Sequence, residues 1–565
     1  LCSAHQHESG VPIHPTQQEL PLTSSDRMLA AETEMPAANW RSGGGVPILA
    51  LLLHAAVVWL ARAPGIVMRE DDARYLLLAR ALRAGSYREL WSPGHPLHHM
   101  YPPGYPGLLA LWTAVGGEGF DWLIVLQLSL SLAILVLTFL TIRRQFPPTV
   151  VLWTMGVLAL NPNLVFWAGE VSSELSLTLC VAVALWAHTA LRDGRARTII
   201  LVAAALAAPL FRSAGIILPA ALMVEWLITR RWRPALIASI LFVLILAPLF
   251  WWSLSASSDV PGASYAADAV VRVSAREPLA HVLLRRSITN ATWYATRGLT
   301  WVLALPTVRG THLDNVIDSV LVIAALTAGV LLTVRRNRFA VVVMISCSGL
   351  LLAWPYYFER FLLPILPLLV AVFLLGVHRL GSWGGPRLAE AGIGVVGITM
   401  LIVGGLQDAG RVRDHPNCDR SHGTPDRACL SVRERNFFDG LQFAADSLRP
   451  EARLVSANAA TVYFHTGHLA VRGLEVHETD SAQFWPRLRE LGVFYVLFTG
   501  EPRLGERIAE HCRDLTVEHV MGDASYVLRV ATPVDQLDAN AGAVPKSDSR
   551  LSACEAASRS RSILR

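Results

Sequence analysis

Apolar blocks of about 17–25 residues recur from residue 46 to residue 406, divided by short arginine-bearing connections. Blocks of that length fit the hydrocarbon core of a bilayer as helices, because a helix satisfies its own backbone donors and acceptors where no water can reach them. Composition agrees: of the 565 residues, 53% are hydrophobic and 16% charged, whereas soluble domains carry roughly a quarter charged residues. The expected spans are 46–66, 120–142, 149–168, 174–191, 198–211, 214–229, 235–254, 316–334, 339–355, 360–378 and 388–406. They imply an α-helical polytopic membrane protein of about eleven transmembrane helices, occupying residues 45–406.

Charge placement sets the expected topology. Arg143-Arg144, Arg192/Arg195/Arg197, Arg230-Arg231/Arg233, Arg335-Arg336/Arg338 and Arg379/Arg387 fall in every second connection. Arginine retained in the cytoplasm then puts the N-terminus inside and the C-terminal segment outside. Segments 198–211 and 214–229, broken at Arg212-Ser213, are read as two helices, since basic loops on both flanks require an even number of spans. Loops 67–119 and 255–315 and everything after about residue 407 lie outside in this drawing. The net charge of +5 is a matter of topology, and no nucleic-acid partner is implied.

Beyond residue 407 the pattern shortens. Strand-like runs at Leu454–Ser456 and Val493–Phe498 alternate with helical patterns at 481–491 and 502–512, so 407–532 reads as a small extracytoplasmic (periplasmic) α/β domain. Residues 1–44 and 533–565 are polar without an apolar period and are expected to be disordered. The chain begins at Leu1, with Met28 or Met35 as alternative starts, and the full-length first apolar block does not resemble a cleaved signal peptide. Cys180 and Cys347 fall inside spans as packing residues. Cys418 and Cys429 read as a disulfide in an oxidising compartment, because the spacing of His415, Cys418, His422 and Cys429 fits no zinc pattern.

The first outer loop holds the residues with chemistry. Asp71-Asp72 follows the first span, and Tyr75, Leu78, Ala79 and Leu82 share one face of a helix that Gly85 can end. That helix is expected to lie along the membrane surface. The run Tyr101-Pro102-Pro103-Gly104-Tyr105-Pro106 then redirects the chain. An acidic pair suits a solvated helix start as well as it suits a general base. Tyr101 and Tyr105 read as interfacial aromatics and His99 as a surface histidine or a phosphate contact. Arg212 and Arg360 read as snorkelling, as partners of Glu170, Glu174 or Glu359, or as phosphate ligands. Arg272, Arg276, Arg285, Arg286, Arg297 and Arg309 in loop 255–315 suit an amphipathic helix on anionic lipid, or contact with an anionic substrate.

The segment Asp71-Asp72-Ala73-Arg74-Tyr75, followed by a helix and a His/Tyr-Pro-Pro element, resembles the first outer loop of the GT-C superfamily of glycosyltransferases. Within it the resemblance is to the family of protein O-mannosyltransferases and lipid A aminoarabinose transferases. Ser172-Ser173-Glu174, Phe211-Arg212-Ser213-Ala214-Gly215 and Phe358-Glu359-Arg360-Phe361-Leu362-Leu363-Pro364 resemble further motifs of that family, in the same order. The resemblance implies a glycosyltransferase of the bacterial inner membrane, fed by a polyprenyl-phosphate-linked sugar and acting on a protein, lipid A or surface-glycan acceptor. It implies a catalytic first acid, here Asp71, while Asp72 replaces a usual Glu and leaves either acid as the base. Arg74, three residues on and on the same helical side, is the leading phosphate contact. Tyr75, His99, Tyr101, Glu174, Arg212 and Arg360 complete the expected substrate-binding set. Tyr101 occupies a place where family members carry lysine. No cofactor is implied, and a divalent metal is not generally needed.

The chemistry is self-consistent. Nucleotide sugars stay in the cytoplasm, so an outer site needs a lipid-borne donor. Its phosphate leaves as a stable anion, so one carboxylate base suffices and arginine can hold the growing charge. Direct attack inverts the anomeric carbon, unlike two-carboxylate glycosidases that retain it. A flippase for lipid-linked sugars would be expected to show related halves and midplane charges. An oligosaccharide ligase or polymerase using diphosphate-linked donors, and a non-catalytic binding protein, are the other readings.

Overall fold

The computed structural model describes residues 45–67, 70–255, 278–306, 312–413, 427–472, 486, 488–500, 502–510, 512, 515–522 and 525–530. The expected tails 1–44 and 533–565, together with Arg272, Arg276, Arg309, His415, Cys418 and His422, lie outside the described residues.

Among the described residues, five helices are long and apolar enough to cross a membrane: Phe120–Ile142, Trp232–Leu254, Val316–Arg336, Glu359–Ser382 and Pro386–Arg413. They make the chain an integral membrane protein. Pro148–Ala159 and Pro162–Ala168 form a sixth if counted as one helix bent by 48°. The bend has a local cause. Asn161 accepts hydrogen bonds from the Asn163 and Leu164 N–H groups, and Pro162 cannot donate back to the preceding turn.

Each expected apolar block is helical, but Pro47–Ala61, Glu174–Ala190, Ser213–Ile228 and Arg338–Ala353 are shorter. Seventeen helical residues rise only about 26 Å against about 30 Å of hydrocarbon. Helix length alone therefore does not reproduce the count of about eleven spans. Glu359–Ser382 is the hub, with 83% of its apolar window buried, against 17% for Trp232–Leu254. Gly376 packs on the Ala325 carbonyl and Gly329 on the Val372 carbonyl, so the hub and His312–Arg336 meet backbone to backbone.

Helix Glu70–Arg83 departs from expectation. It does not lie on a surface: every residue from Asp72 to Ala79 is buried. Gly104–Gly116 covers one side and Ala459–Thr466 another. Its end matches expectation. Gly85 has φ +78°, the Gly85 N–H bonds to Leu82 O (3.0 Å) and the Ser86 N–H to Ala81 O (2.9 Å), which together make a Schellman cap.

Helix Pro386–Arg413 runs past residue 407, so the sheet-bearing unit starts later than expected. A capping box of Ser431 and Glu434 starts helix Val432–Ser447. Strands β1 (Leu454–Ser456), β2 (Ala470–Arg472), β3 (Tyr495–Phe498), β4 (Leu515–Val520) and β5 (Tyr526–Val530) then form one sheet in the order β2-β1-β3-β5-β4. The first three are parallel, and β5 is antiparallel to both β3 and β4. Interior β1 is buried at all three residues, as a strand covered on both faces must be.

This α/β unit shares a core with residues 70–116, the segment after the first apolar helix. Phe437, Leu441 and Val462 pack in the same apolar cluster as Ala73, Leu77 and Trp91. Ala470 N–H donates to Trp91 O (2.8 Å), and the His465 ring bonds Ile66 O (2.9 Å). Residues 70–116 and the α/β unit therefore lie on the same side of the helical bundle. Cys429 and Cys512 each take part in a disulfide bond, while Cys180 and Cys347 are free and buried. The pairing expected between Cys418 and Cys429 falls outside the described residues.

Candidate active site

Five separated pieces of chain converge on one cavity. Helix Glu70–Arg83 contributes Asp71 and Tyr75, and the Pro-rich turn contributes Tyr101. Glu174 opens helix Glu174–Ala190, and Arg212 sits in extended backbone (φ −151°, ψ 141°) between two helices. Arg360 comes from the 3-10 turn Glu359–Ile365 that opens the hub, where Pro364 interrupts the α-helical ladder before helix Leu366–Ser382.

Both Asp71 oxygens are engaged. The Tyr101 hydroxyl donates to Oδ1 at 2.5 Å, and Arg360 Nη1 donates to Oδ2 at 3.2 Å. Arg360 Nη1 also stands 3.9 Å from Glu174 Oε1. That same Glu174 oxygen is 2.6 Å from Arg212 Nη1, which donates to Ser173 Oγ at 3.1 Å. Tyr75 shares a 2.8 Å hydrogen bond with Ser173 Oγ. The Phe361 ring faces both guanidiniums, at 6.0 Å from Arg212 and 5.4 Å from Arg360, close enough for cation–π attraction. Burial opposes the charge on Asp71, yet Arg360, the Tyr101 hydroxyl, Arg74 and Arg212 outweigh it and hold the carboxyl below its ordinary range.

The two acids of the pair part company here. Asp71 keeps 35% of its side chain open and lines the cavity, whereas Asp72 is 3% exposed and does not. Arg74 is also 3% exposed and does not line the cavity. The three-residue spacing does bring its charge near Asp71, but Nη1 donates to Met100 Sδ (3.4 Å) and the guanidinium lies 5.7 Å from the Trp91 ring. Tyr75, Tyr101, Glu174, Arg212 and Arg360 do line the cavity. Tyr101 and Tyr105 are not interfacial: both are buried, and Tyr105 is bonded to Gln127. Of the ion pairs expected for the arginines, Arg212–Glu174 and the longer Arg360–Glu174 are present, and Arg360 also pairs with Asp71.

His99 belongs to a neighbouring cavity. It bonds Trp252 O (2.7 Å) and stacks on the Trp252 ring. The groove it lines runs between residues 209–216 and 242–253, and nearly all its walls are apolar. Pro102, Ser213 and Trp354 border both spaces, so the groove abuts the site of Asp71.

One functional support escaped the sequence. Tyr101 N–H donates to His98 Nε2 (3.0 Å), so the neutral His98 ring carries its proton on Nδ1 and gives it to Glu89 Oε1 (2.9 Å). Ser92 holds the other Glu89 oxygen at 2.8 Å. Burial keeps His98 below its ordinary 6.5, although Glu89 favours the charged form. A backbone pairing of Arg88 with Leu97 makes the link, and no periodicity in the loop announces it. Cys347, read as packing, borders the cavity. Among the described residues no group of three or more His, Cys, Asp or Glu side chains is arranged to hold a metal ion.

A part-exposed carboxylate, two arginines and a buried helix that follows the first apolar block sit in a helical bundle that has the fold of the GT-C glycosyltransferases. The chain is similar in structure to ArnT from Cupriavidus metallidurans in the apo state, with a TM-score of 0.53 and 14% identity over 87% of this chain and 100% of that one. It is similar also to the Archaeoglobus fulgidus oligosaccharyltransferase tethered to an acceptor peptide, with a TM-score of 0.52 and 11% identity over 84% of this chain and 71% of that one. AglB from the same archaeon, in complex with an inhibitory peptide and a dolichol-phosphate, gives 0.50 and 12% over 86% and 74%. At these identities the likeness is one of fold. No family model matches the chain, and no curated protein does.

Proposed function

We propose that the protein is a membrane glycosyltransferase that moves a sugar from a polyprenyl-phosphate-linked donor to a hydroxyl on the outer face of a bacterial inner membrane. About eleven spans, a cytoplasmic N-terminus and an outer α/β domain complete the reading. The observation that carries it is Asp71, facing a cavity opposite Arg212 and Arg360, with an apolar groove opening beside them. The groove suits an isoprenoid chain, and the arginines suit the phosphate at its end. AglB, similar in fold, is in complex with a dolichol-phosphate, which supports a lipid-phosphate ligand for such a bundle.

In the proposed reaction Asp71 takes the proton of the acceptor hydroxyl as its oxygen bonds to the anomeric carbon. The bond from that carbon to the phosphate oxygen breaks, and its electron pair stays on the phosphate. Arg212 and Arg360 stabilise the charge that gathers there. The leaving phosphate needs no acid, so a single carboxylate suffices and the anomeric centre inverts. Arg74, behind Asp71, acts on it through charge alone.

Proteoliposomes holding the full chain, a labelled polyprenyl-phosphate hexose and a mixture of peptide, lipid A and glycan acceptors test this. The expected products are labelled acceptor and free polyprenyl phosphate in equal amounts. Donor carried intact across the bilayer, with no free polyprenyl phosphate, would favour the flippase and contradict the reading.

A further inference from the structure

Of the two cavity arginines, Arg360 pairs with Asp71 and Arg212 pairs with Glu174. Arg212 is tied to Glu174 at 2.6 Å and Ser173 at 3.1 Å. Arg360 divides one nitrogen between two carboxylates at longer range, 3.2 Å to Asp71 and 3.9 Å to Glu174, and keeps 24% of its side chain exposed. The Phe358 and Phe361 rings, 5.6 and 5.4 Å from its guanidinium, give it a polarisable surface along which to move. In this arrangement Arg360 occupies an oxygen of the carboxylate that has to accept a proton. A carboxylate paired with a guanidinium is a poor base.

We propose that Arg360 is a guard on the base, displaced by the donor: the phosphodiester draws the guanidinium off Asp71, so only the donor-loaded site contains a competent base. The guard rests on the polyprenyl-phosphate reading above and adds an order of events to it. Burial opposes the charge on Asp71, and Arg360 is foremost among the groups that overcome it. Once Arg360 turns to phosphate, Asp71 keeps the Tyr101 hydroxyl and the charges of Arg74 and Arg212, against Glu174 and the newly arrived anion. Its proton affinity rises just as the acceptor hydroxyl meets it. That proton passes to Asp71, the acceptor oxygen bonds to the anomeric carbon, and the carbon–phosphate oxygen bond breaks with its electrons kept by phosphate. As the lipid phosphate departs, Arg360 returns and the proton leaves Asp71 for solvent. Without donor the base is held inactive, so acceptor alone meets no reactive centre.

The guard predicts that binding an unreactive phosphodiester takes up a proton. Calorimetric titration of the full chain in nanodiscs with a polyprenyl methyl phosphate, whose single charge does not titrate, reads this from buffers of different ionisation heat. Wild type is expected to take up protons on binding in acidic buffer, with affinity falling as pH rises. Asp71→Asn is expected to bind without uptake, and Arg360→Gln to bind more weakly with less uptake. Proton-neutral binding by wild type, or uptake that survives unchanged in either variant, overturns the guard and leaves the donor reading standing. Failure of all three proteins to bind the diester overturns the donor reading and the guard with it.

Discussion

Tyr101 stands at the centre of the site's smallest scale. Its hydroxyl donates to Asp71 and its backbone N–H is held by His98, so one residue joins Asp71 to the Glu89–His98 pair. Tyr101→Phe keeps the ring and removes the donor, a charge-assisted bond of about 1.5–3 kcal/mol. Because that bond lowers the proton affinity of Asp71, its loss is expected to move the acid limb of the pH–rate profile for transfer to higher pH. An unmoved limb would exclude Tyr101 from tuning the base. His98 makes a second pH prediction. Its folded value lies below 6.5, so between the two values the unfolded chain binds a proton that the folded one does not. Stability therefore falls as pH drops below 6.5, and a protonated Nε2 also loses the Tyr101 N–H. Limited proteolysis of residues 87–101 should accelerate on acidification in wild type, with a much smaller change in His98→Gln. Asp71, Tyr75, Glu174, Arg212 and Arg360 were legible because short motifs carry them in order. Glu89 was not, since nine residues of aperiodic loop separate it from the histidine it holds. Arg74 was misplaced for a related reason: spacing gives the helical face but not the Trp91 and Met100 that cover it.

Among the elements, periodicity served the bundle well and the first outer helix poorly. The apolar blocks emerged as helices because hydrocarbon leaves no other way to satisfy the backbone. Glu70–Arg83 carries arginines at positions 74, 80 and 83 and so looks half-solvated in sequence. Long-range partners bury it instead: Arg80 reaches Glu118 at 2.6 Å and lies over the Phe464 ring. Its terminus was legible, since a left-handed cap favours glycine. Gly85→Ala would meet no atom within 4 Å, so its cost is backbone strain alone, about 1 kcal/mol. Thermal unfolding in detergent should show a small downward shift in midpoint for Gly85→Ala. No shift would mean that the cap adds nothing to the helix.

At the scale of the whole molecule, the α/β unit is part of the wall that holds residues 70–116 in place. Its strands were foreseeable at Leu454–Ser456 and near Tyr495–Phe498, but its docking was not, because β2 meets Trp91 through backbone atoms. Ala470→Pro deletes the N–H that reaches Trp91 O while leaving an edge strand that tolerates proline. The variant should retain its fold, free the first outer loop to faster proteolysis and transfer sugar more slowly. Unchanged loop protection would mean that apolar packing alone carries the docking.

The central claim is that Asp71, and not its neighbour, is the base of a glycosyl transfer. Sugar transfer from a labelled polyprenyl-phosphate hexose, compared among wild type, Asp71→Asn and Asp72→Asn at equal folded amounts, tests it most directly. Loss of about 10²–10⁴-fold in Asp71→Asn, with activity kept in Asp72→Asn, is the predicted result. Equal transfer by wild type and Asp71→Asn would contradict it.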